Sequence, residues 1–371
     1  MMARTSSDPL NAVCPYFTMF PLDFPRQRIK REVSAGRKPV VLDVFCGRGT
    51  TLYAARTAGL RSYGVDSSPV AVAIAKAKLA STSLASVMRL TESILSCNED
   101  VAPPDGEFWR LAYHPSTLQN IARLRNGLLT ARDSGAARML RAIALGALHG
   151  PLAKNPLNSG YFSNQMPRTY ACKPAYAIRY WKSRQLRARR VDVRSVVRRR
   201  AARIFSAPTL PGVAGSTVVL GDSRNPHTFK SIGRADLVIT SPPYFGMKTY
   251  VEDQWIRNWF LGGPSHVDYG AGSQICSGNA ADFAVALAGV WDNVGDVGSD
   301  ALKVVIRFGG IRSRRSDPLA LLMGSFEQSR HPWKLISRRA VRSIAPGRRQ
   351  AEQMHVSALA VEEFDAGWIV S

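Results

Sequence analysis

At 371 residues the chain exceeds one average domain, so it holds either one large domain with an insertion or two domains. With 45% apolar residues it can bury a sizeable core, which excludes wholesale disorder, and charge interrupts every long apolar stretch, which argues against a transmembrane span. Fifty Lys plus Arg against 27 Asp plus Glu give a formal net charge of +23, which points to a polyanionic partner, nucleic acid first.

The N-terminal stretch MMARTSSDPLNAV lacks the apolar core of a secretory signal. Cys14, Cys46, Cys97, Cys172 and Cys276 are odd in number and without CxxC spacing, as expected for reduced thiols in a cytoplasmic protein. The six histidines show no metal-ligand spacing, so no metal is expected. Residues 39–45, PVVLDVF, read as a strand that breaks into CGRGTT. A small-residue helix follows in TTLYAARTAGL, then a second short strand, SYGVD, at 62–66. The stretch 67–80 is helical, with Ser67 or Ser68 as cap and Pro69 in the first turn. Strand, Gly-rich turn, helix, strand and helix open a doubly wound, mostly parallel α/β domain.

That alternation stops at residue 85. Residues 85–212 hold helix-like stretches at 116–130 and 136–148, a polar loop at 150–175 and a basic segment. Strand-like runs resume at 217–222 and 236–240, with further candidates at 301–309 and 333–341. The expected organisation is an α/β domain from 1–84 and 213–371, split by a large, mainly helical insertion at 85–212.

Four strand ends carry chemistry. Gly47 and Gly49 follow Asp43 in DVFCGRGTT, where glycine lets the backbone turn sharply and approach a ligand. The run is neither GxGxxG nor a P-loop. Asp66 ends the second strand, where a carboxylate can take both hydroxyls of a ribose. Asp222 ends the third, within reach of a nucleoside base. TSPPY, 240–244, ends the fourth with two prolines that stop the strand and freeze the backbone after it. All four fall on the carboxyl edge of one sheet, where open α/β folds bind ligands.

DVFCGRGTT, YGVD and TSPPY together resemble the S-adenosylmethionine-dependent DNA amino-methyltransferases, a family of bacteria and phages with a Rossmann-like class I methyltransferase fold. Arg48 and Val44 depart from the family's usual Ser and Pro. The resemblance implies S-adenosylmethionine as cofactor, held by Asp43, Phe45, Gly47, Gly49, Thr50, Asp66 and Asp222. PYFTMFPLDFP, with Phe20, is similar to the segment that covers the cofactor's methionine end. It also implies Ser241, Pro242, Pro243 and Tyr244 as the catalytic loop, and the Ser-Pro-Pro-Tyr form resembles the branch that methylates cytosine N4. Residues 149–170 resemble a further segment of such proteins.

The chemistry fits that loop. An exocyclic amino group is a poor nucleophile because its lone pair is delocalised into the ring. A rigid Pro-Pro carbonyl and the Ser241 hydroxyl can accept hydrogen bonds from its N–H groups and aim the lone pair at a methyl donor. Tyr244 offers a ring face to a base drawn out of double-stranded DNA.

Residues 179–203 hold ten arginines and one lysine against one acid, Asp192. Asp192 can cap a helix with Val193, Val197, Ala201 and Ile204 on one face and Arg194, Arg198, Arg199 and Arg203 on the other, a face suited to DNA phosphates. Tyr176, Tyr180 and Trp181 lie nearby, as rings that can stack on bases or as local core. Asn164 and His149, beside or within the polar loop, are further candidates for the target side. Trp255, Trp259 and Phe260, at helical spacing, read as core. Adenine N6 methylation, methylation of an RNA base, and an inactive DNA-binding protein on the same fold stay open, as does a companion restriction endonuclease.

Overall fold

A computed structural model describes residues 8–15, 20–97, 100–150, 159–163, 173–246, 251–270, 275, 279–310, 317–341 and 363–370. They form two compact units. An α/β unit takes residues 16–75, 211–249 and 273–371, and a helical unit takes 1–15, 76–210 and 250–272.

The α/β unit is built on a seven-stranded sheet. Its strands are β1 (Val41–Asp43), β2 (Ser62–Asp66), β3 (Thr217–Leu220), β4 (Ala235–Thr240), β5 (Gly298–Gly309), β6 (Trp333–Val341) and β7 (Glu363–Val370). They lie in the order β3-β2-β1-β4-β5-β7-β6. The first five pair in parallel, while β7 runs antiparallel between β5 and β6. That is the strand order of the class I methyltransferase fold. The expected strands at 39–45, 62–66, 217–222, 236–240, 301–309 and 333–341 each match one of β1 to β6, and β7 is the strand not foreseen.

Strand residues alternate between two cores, as a period of two requires. Val41, Leu237 and Ile239 point to one face, where α1 (Asp23–Ser34) and α2 (Thr50–Thr57) contribute Phe24, Ile29, Ala54 and Ala55. Leu42 and Val238 point to the other, under α11 (Ala280–Asp296) and α12 (Pro318–Glu327). There Trp291 stacks on Phe326 at 4.6 Å, and Phe326 on Trp368 at 4.2 Å. The helix α3 (Pro69–Leu79) starts as expected, with the Ser68 hydroxyl accepting from the Ala71 N–H at 3.3 Å.

The helical unit holds α4 (Leu84–Ser96), α5 (Glu107–Ala112), α6 (Pro115–Thr130), α7 (Gly135–Ala147), α8 (Pro174–Ser183), α9 (Val193–Phe205) and α10 (Val251–Phe260). Side-chain caps at Ser83, His114, Ser134 and Asp192 satisfy N–H groups that helix starts leave open. Phe108, Trp109, Trp181, Trp255 and Trp259 interlock as its aromatic core, with centroid separations of 4.5–5.6 Å.

Candidate active site

The carboxyl ends of β1, β2, β3 and β4 lie side by side in the α/β unit, and every one carries a residue singled out in the sequence. After β1 the chain turns through Gly47 (φ 49°) and Gly49 (φ 74°), both in the left-handed region. A Cβ on Gly49 would sit 2.8 Å from the Ala75 Cβ, so glycine there also lets α2 approach α3. Thr50 opens α2 and is buried, as are Cys46 and Arg48.

Asp66 organises this turn. One carboxylate oxygen accepts the Gly47 N–H at 2.8 Å and the other the Ser68 N–H at 2.9 Å. The half-buried acid therefore shapes the glycine turn and the start of α3 together, and burial holds its carboxyl above the usual range. The Gly221 N–H donates to the Asp66 carbonyl at 3.0 Å, which brings Asp222 to the neighbouring strand end. Asp222 is gripped by Arg224 through Nε at 3.0 Å and Nη2 at 2.5 Å, and its carboxyl lies below the usual range. Ser223 locks the same loop to β1's end, its hydroxyl donating to the Val44 carbonyl at 2.5 Å, while Asn293 donates to the Ser223 carbonyl at 2.9 Å.

Asp43 lies fully buried beneath the glycine turn. Its Oδ1 accepts the Thr240 hydroxyl at 2.7 Å and the Phe45 N–H at 3.2 Å. Its Oδ2 has no hydrogen-bond partner among the described residues. Burial pushes this carboxyl up to about 6, against the pull of the Thr51 and Thr240 hydroxyls and the Phe45 N–H, with Asp66 adding to the rise.

Thr240 ends β4 and leads directly into Ser241, Pro242, Pro243 and Tyr244. Pro242 is buried, and the other three are half-buried. The Tyr244 ring meets the edge of Phe308 at 5.5 Å, and its hydroxyl donates to Glu363 Oε1 at 3.1 Å. Burial, then Glu363, raises the Tyr244 hydroxyl well above its usual range, so it stays a donor. Phe45 packs half-buried on the α11–α12 face, and Phe20 packs half-buried on the α1–α2 face, its ring 5.2 Å from Phe24.

Glu363, Thr240 and Ser223 are the residues that sequence reasoning missed. Thr240 was in view as the first letter of TSPPY. Glu363 carried no signal, because β7 itself was not foreseen.

In the helical unit, α9 forms as expected. Asp192 accepts from the Arg194 N–H at 3.1 Å and the Ser195 N–H at 3.3 Å, and Val193, Val197, Ala201 and Ile204 are buried. Its arginines are not equivalent. Arg198 and Arg203 are exposed and Arg199 is half-buried, while Arg194 donates to Glu92 at 2.7 Å. Trp255, Trp259, Phe260 and Trp181 are core, and so is His149. Asn164 lies outside the described residues. Among the described residues no helix is long and apolar enough to cross a membrane, and no His/Cys/Asp/Glu group is placed to hold a metal ion.

The DNA methylase family model (N6_N4_Mtase) matches residues 4–77, the stretch that carries β1, the glycine turn and β2. The match supports a relationship to the amino-methyltransferases. No curated protein matches the chain in sequence. Among solved structures, the rRNA methyltransferase AviRa of Streptomyces viridochromogenes is similar at 12% identity and a TM-score of 0.35, over 98% of this chain and 93% of that one. A TehB-like SAM-dependent methyltransferase of Corynebacterium glutamicum is similar at 9% identity and 0.31, over 94% and 98%. The glycopeptide N-methyltransferase MtfA is similar at 9% identity and 0.34, over 94% and 95%. The fold rests on the strand order rather than on these low scores.

Proposed function

We propose that this chain is an S-adenosylmethionine-dependent DNA methyltransferase acting on an exocyclic amino group, with cytosine N4 as the favoured target. The observation that carries this reading is the Thr240–Asp43 hydrogen bond, which joins the strand end bearing SPPY to the strand end bearing the glycine turn. A base-orienting loop and a cofactor turn that must cooperate are thereby fixed to one another.

The residues present suit the cofactor. Each Asp66 oxygen accepts one backbone N–H and keeps a lone pair for a ribose hydroxyl, and the glycine turn beneath carries no side chain at Gly47 or Gly49. Asp222, on the next strand end, would hold the nucleoside part with a carboxylate steadied by Arg224. When bound, the cofactor supplies an electrophilic methyl group. The protein's part is to orient the acceptor. The Pro242 carbonyl and Ser241 hydroxyl accept hydrogen bonds from the amino group's two N–H bonds, so its lone pair is localised and aimed. Tyr244, held by Glu363 and Phe308, presents its ring to a base outside the stack. The Ser-Pro-Pro-Tyr form of the loop supports cytosine, and the net charge of +23 supports a nucleic acid substrate.

The test is transfer of labelled methyl from the cofactor to duplex DNA by the wild type and by Ser241→Ala. Incorporation by the wild type that falls at least about tenfold in the variant supports the reading. No incorporation into any DNA, with folded protein, would defeat it.

A further inference from the structure

The arginine-rich face of α9 is thinner than its composition implies. Arg194 is paired with Glu92, and Arg200 donates to the Gly160 carbonyl at 2.6 Å with its guanidinium 4.8 Å from the Tyr161 ring. The denser exposed charge lies upstream, at Arg184, Arg187, Arg189 and Arg190, in the stretch that leaves α8. Arg179 on α8 adds to it.

Tyr176 and Tyr180 on α8 and Arg184 at its C-terminal cap follow one another at intervals of four residues and so share a face. The two rings stack at 6.3 Å with 26° between their planes, and the Arg184 guanidinium lies 4.2 Å from the Tyr180 centroid. Tyr176 keeps 50% of its surface exposed. Trp181, the third aromatic of the segment, is fully buried against Phe108 and takes no part. Ion pairs of Lys173 with Glu252 and Lys182 with Glu107 hold both ends of α8 within the helical unit.

A file of two rings and a guanidinium plane, bordered by exposed arginines, has a specific complement. Phosphates satisfy the arginines, and bases satisfy the rings, since every base has a π face. A closed duplex offers phosphates but no base faces. An acidic peptide offers carboxylates but no regular file of planar groups. We propose that the Tyr176–Tyr180–Arg184 face of α8, with the arginines at 187–190, binds a DNA strand whose bases are unstacked. This rests on the reading of DNA as the substrate given above.

The experiment is fluorescence anisotropy with a labelled oligo-dT strand and with a duplex of equal length, in the absence of cofactor. Replacing both rings (Y176A with Y180A) should weaken single-strand binding at least about tenfold and duplex binding by less than about threefold. The slope of log affinity against log salt should not change, whereas R184A should make it shallower by about 0.7 on the single strand. Phenylalanine at both positions should keep the affinity. If circular dichroism shows the alanine pair unfolded, leucine at both positions carries the same expectation. Single-strand affinity within about twofold of wild type in the folded ring variants, or equal losses for strand and duplex, would overturn the proposal. Because the measurement needs no methyl transfer, the two readings fail separately. Ring-dependent binding without methylation would defeat the enzymatic reading alone, and methylation with ring-independent binding would defeat this one alone.

Discussion

The Thr240 hydroxyl donates to Asp43 Oδ1 at 2.7 Å, and this bond ties the end of β4 to the end of β1 inside the core. Asp43 is wholly buried, and its carboxyl is raised to about 6, chiefly by desolvation. The unfolded chain holds the same proton with a pKa of about 3.9. The native state therefore binds the proton more tightly, and the stabilisation this gives is complete below about pH 4 and lost as pH rises through about 6. Asp43→Asn, which cannot ionise, should gain stability relative to wild type between pH 4 and pH 7, by on the order of 1–3 kcal/mol. Denaturation midpoints across that range check this. A difference that does not vary with pH would show that Asp43 does not titrate there.

Tyr244 and Glu363 should act as a unit, since the phenol donates to the carboxylate and holds the ring against Phe308. Tyr244→Phe and Glu363→Gln should each lower kcat by about tenfold and leave cofactor affinity nearly unchanged. The double variant should be little worse than either single one. Losses that multiply in the double variant, or a collapse of cofactor binding in Glu363→Gln, would show that the bond does not position the ring.

Two glycines with similar backbone angles should respond differently to alanine. Gly49 has φ 74° and a Cβ there would crowd Ala75 at 2.8 Å, whereas Gly59 has φ 69° and nothing within 4 Å. Gly49→Ala should cost about 2–4 kcal/mol, from backbone strain and overpacking together, while Gly59→Ala should cost about 1 kcal/mol from strain alone. Urea unfolding of both variants measures the contrast, and equal losses would refute it.

The end of α8 contains a correctable strain. The Leu186 N–H reaches the Trp181 carbonyl at 3.0 Å and the Gln185 N–H reaches Lys182 at 3.1 Å, a Schellman ending that places Gln185 at φ 49°. Glycine is the usual residue there, so Gln185→Gly should stabilise the protein by about 1 kcal/mol. A lower unfolding midpoint would mean that the glutamine side chain makes a contact worth more than the strain.

The glycine turn and β1 to β6 were legible because each depends on neighbours in sequence: apolar runs, positive-φ glycines and prolines. The Asp192 cap and the buried face of α9 were legible for the same reason. β7 was not. Phe364 to Trp368 are buried consecutively, and the run includes Asp365, a residue that sequence reasoning places in solvent. Its charge is answered by Arg307 at 2.8 Å and Arg28 at 2.9 Å, from β5 and α1. The arginines of α9 failed to declare themselves in the same way. Composition counts their charge, but only folding brings Glu92 from 102 residues away to pair with Arg194. Local pattern therefore located the four strand ends, while the groups that hold them in place come from distant segments.

The central claim is best tested by identifying the product. DNA incubated with the protein and isotopically labelled S-adenosylmethionine is digested to nucleosides and separated by mass. The account predicts label on the exocyclic amino group of cytosine, as N4-methyl-deoxycytidine. Label on adenine alone would move the target to N6, and label found only in RNA, or in no nucleic acid at all, would contradict the account.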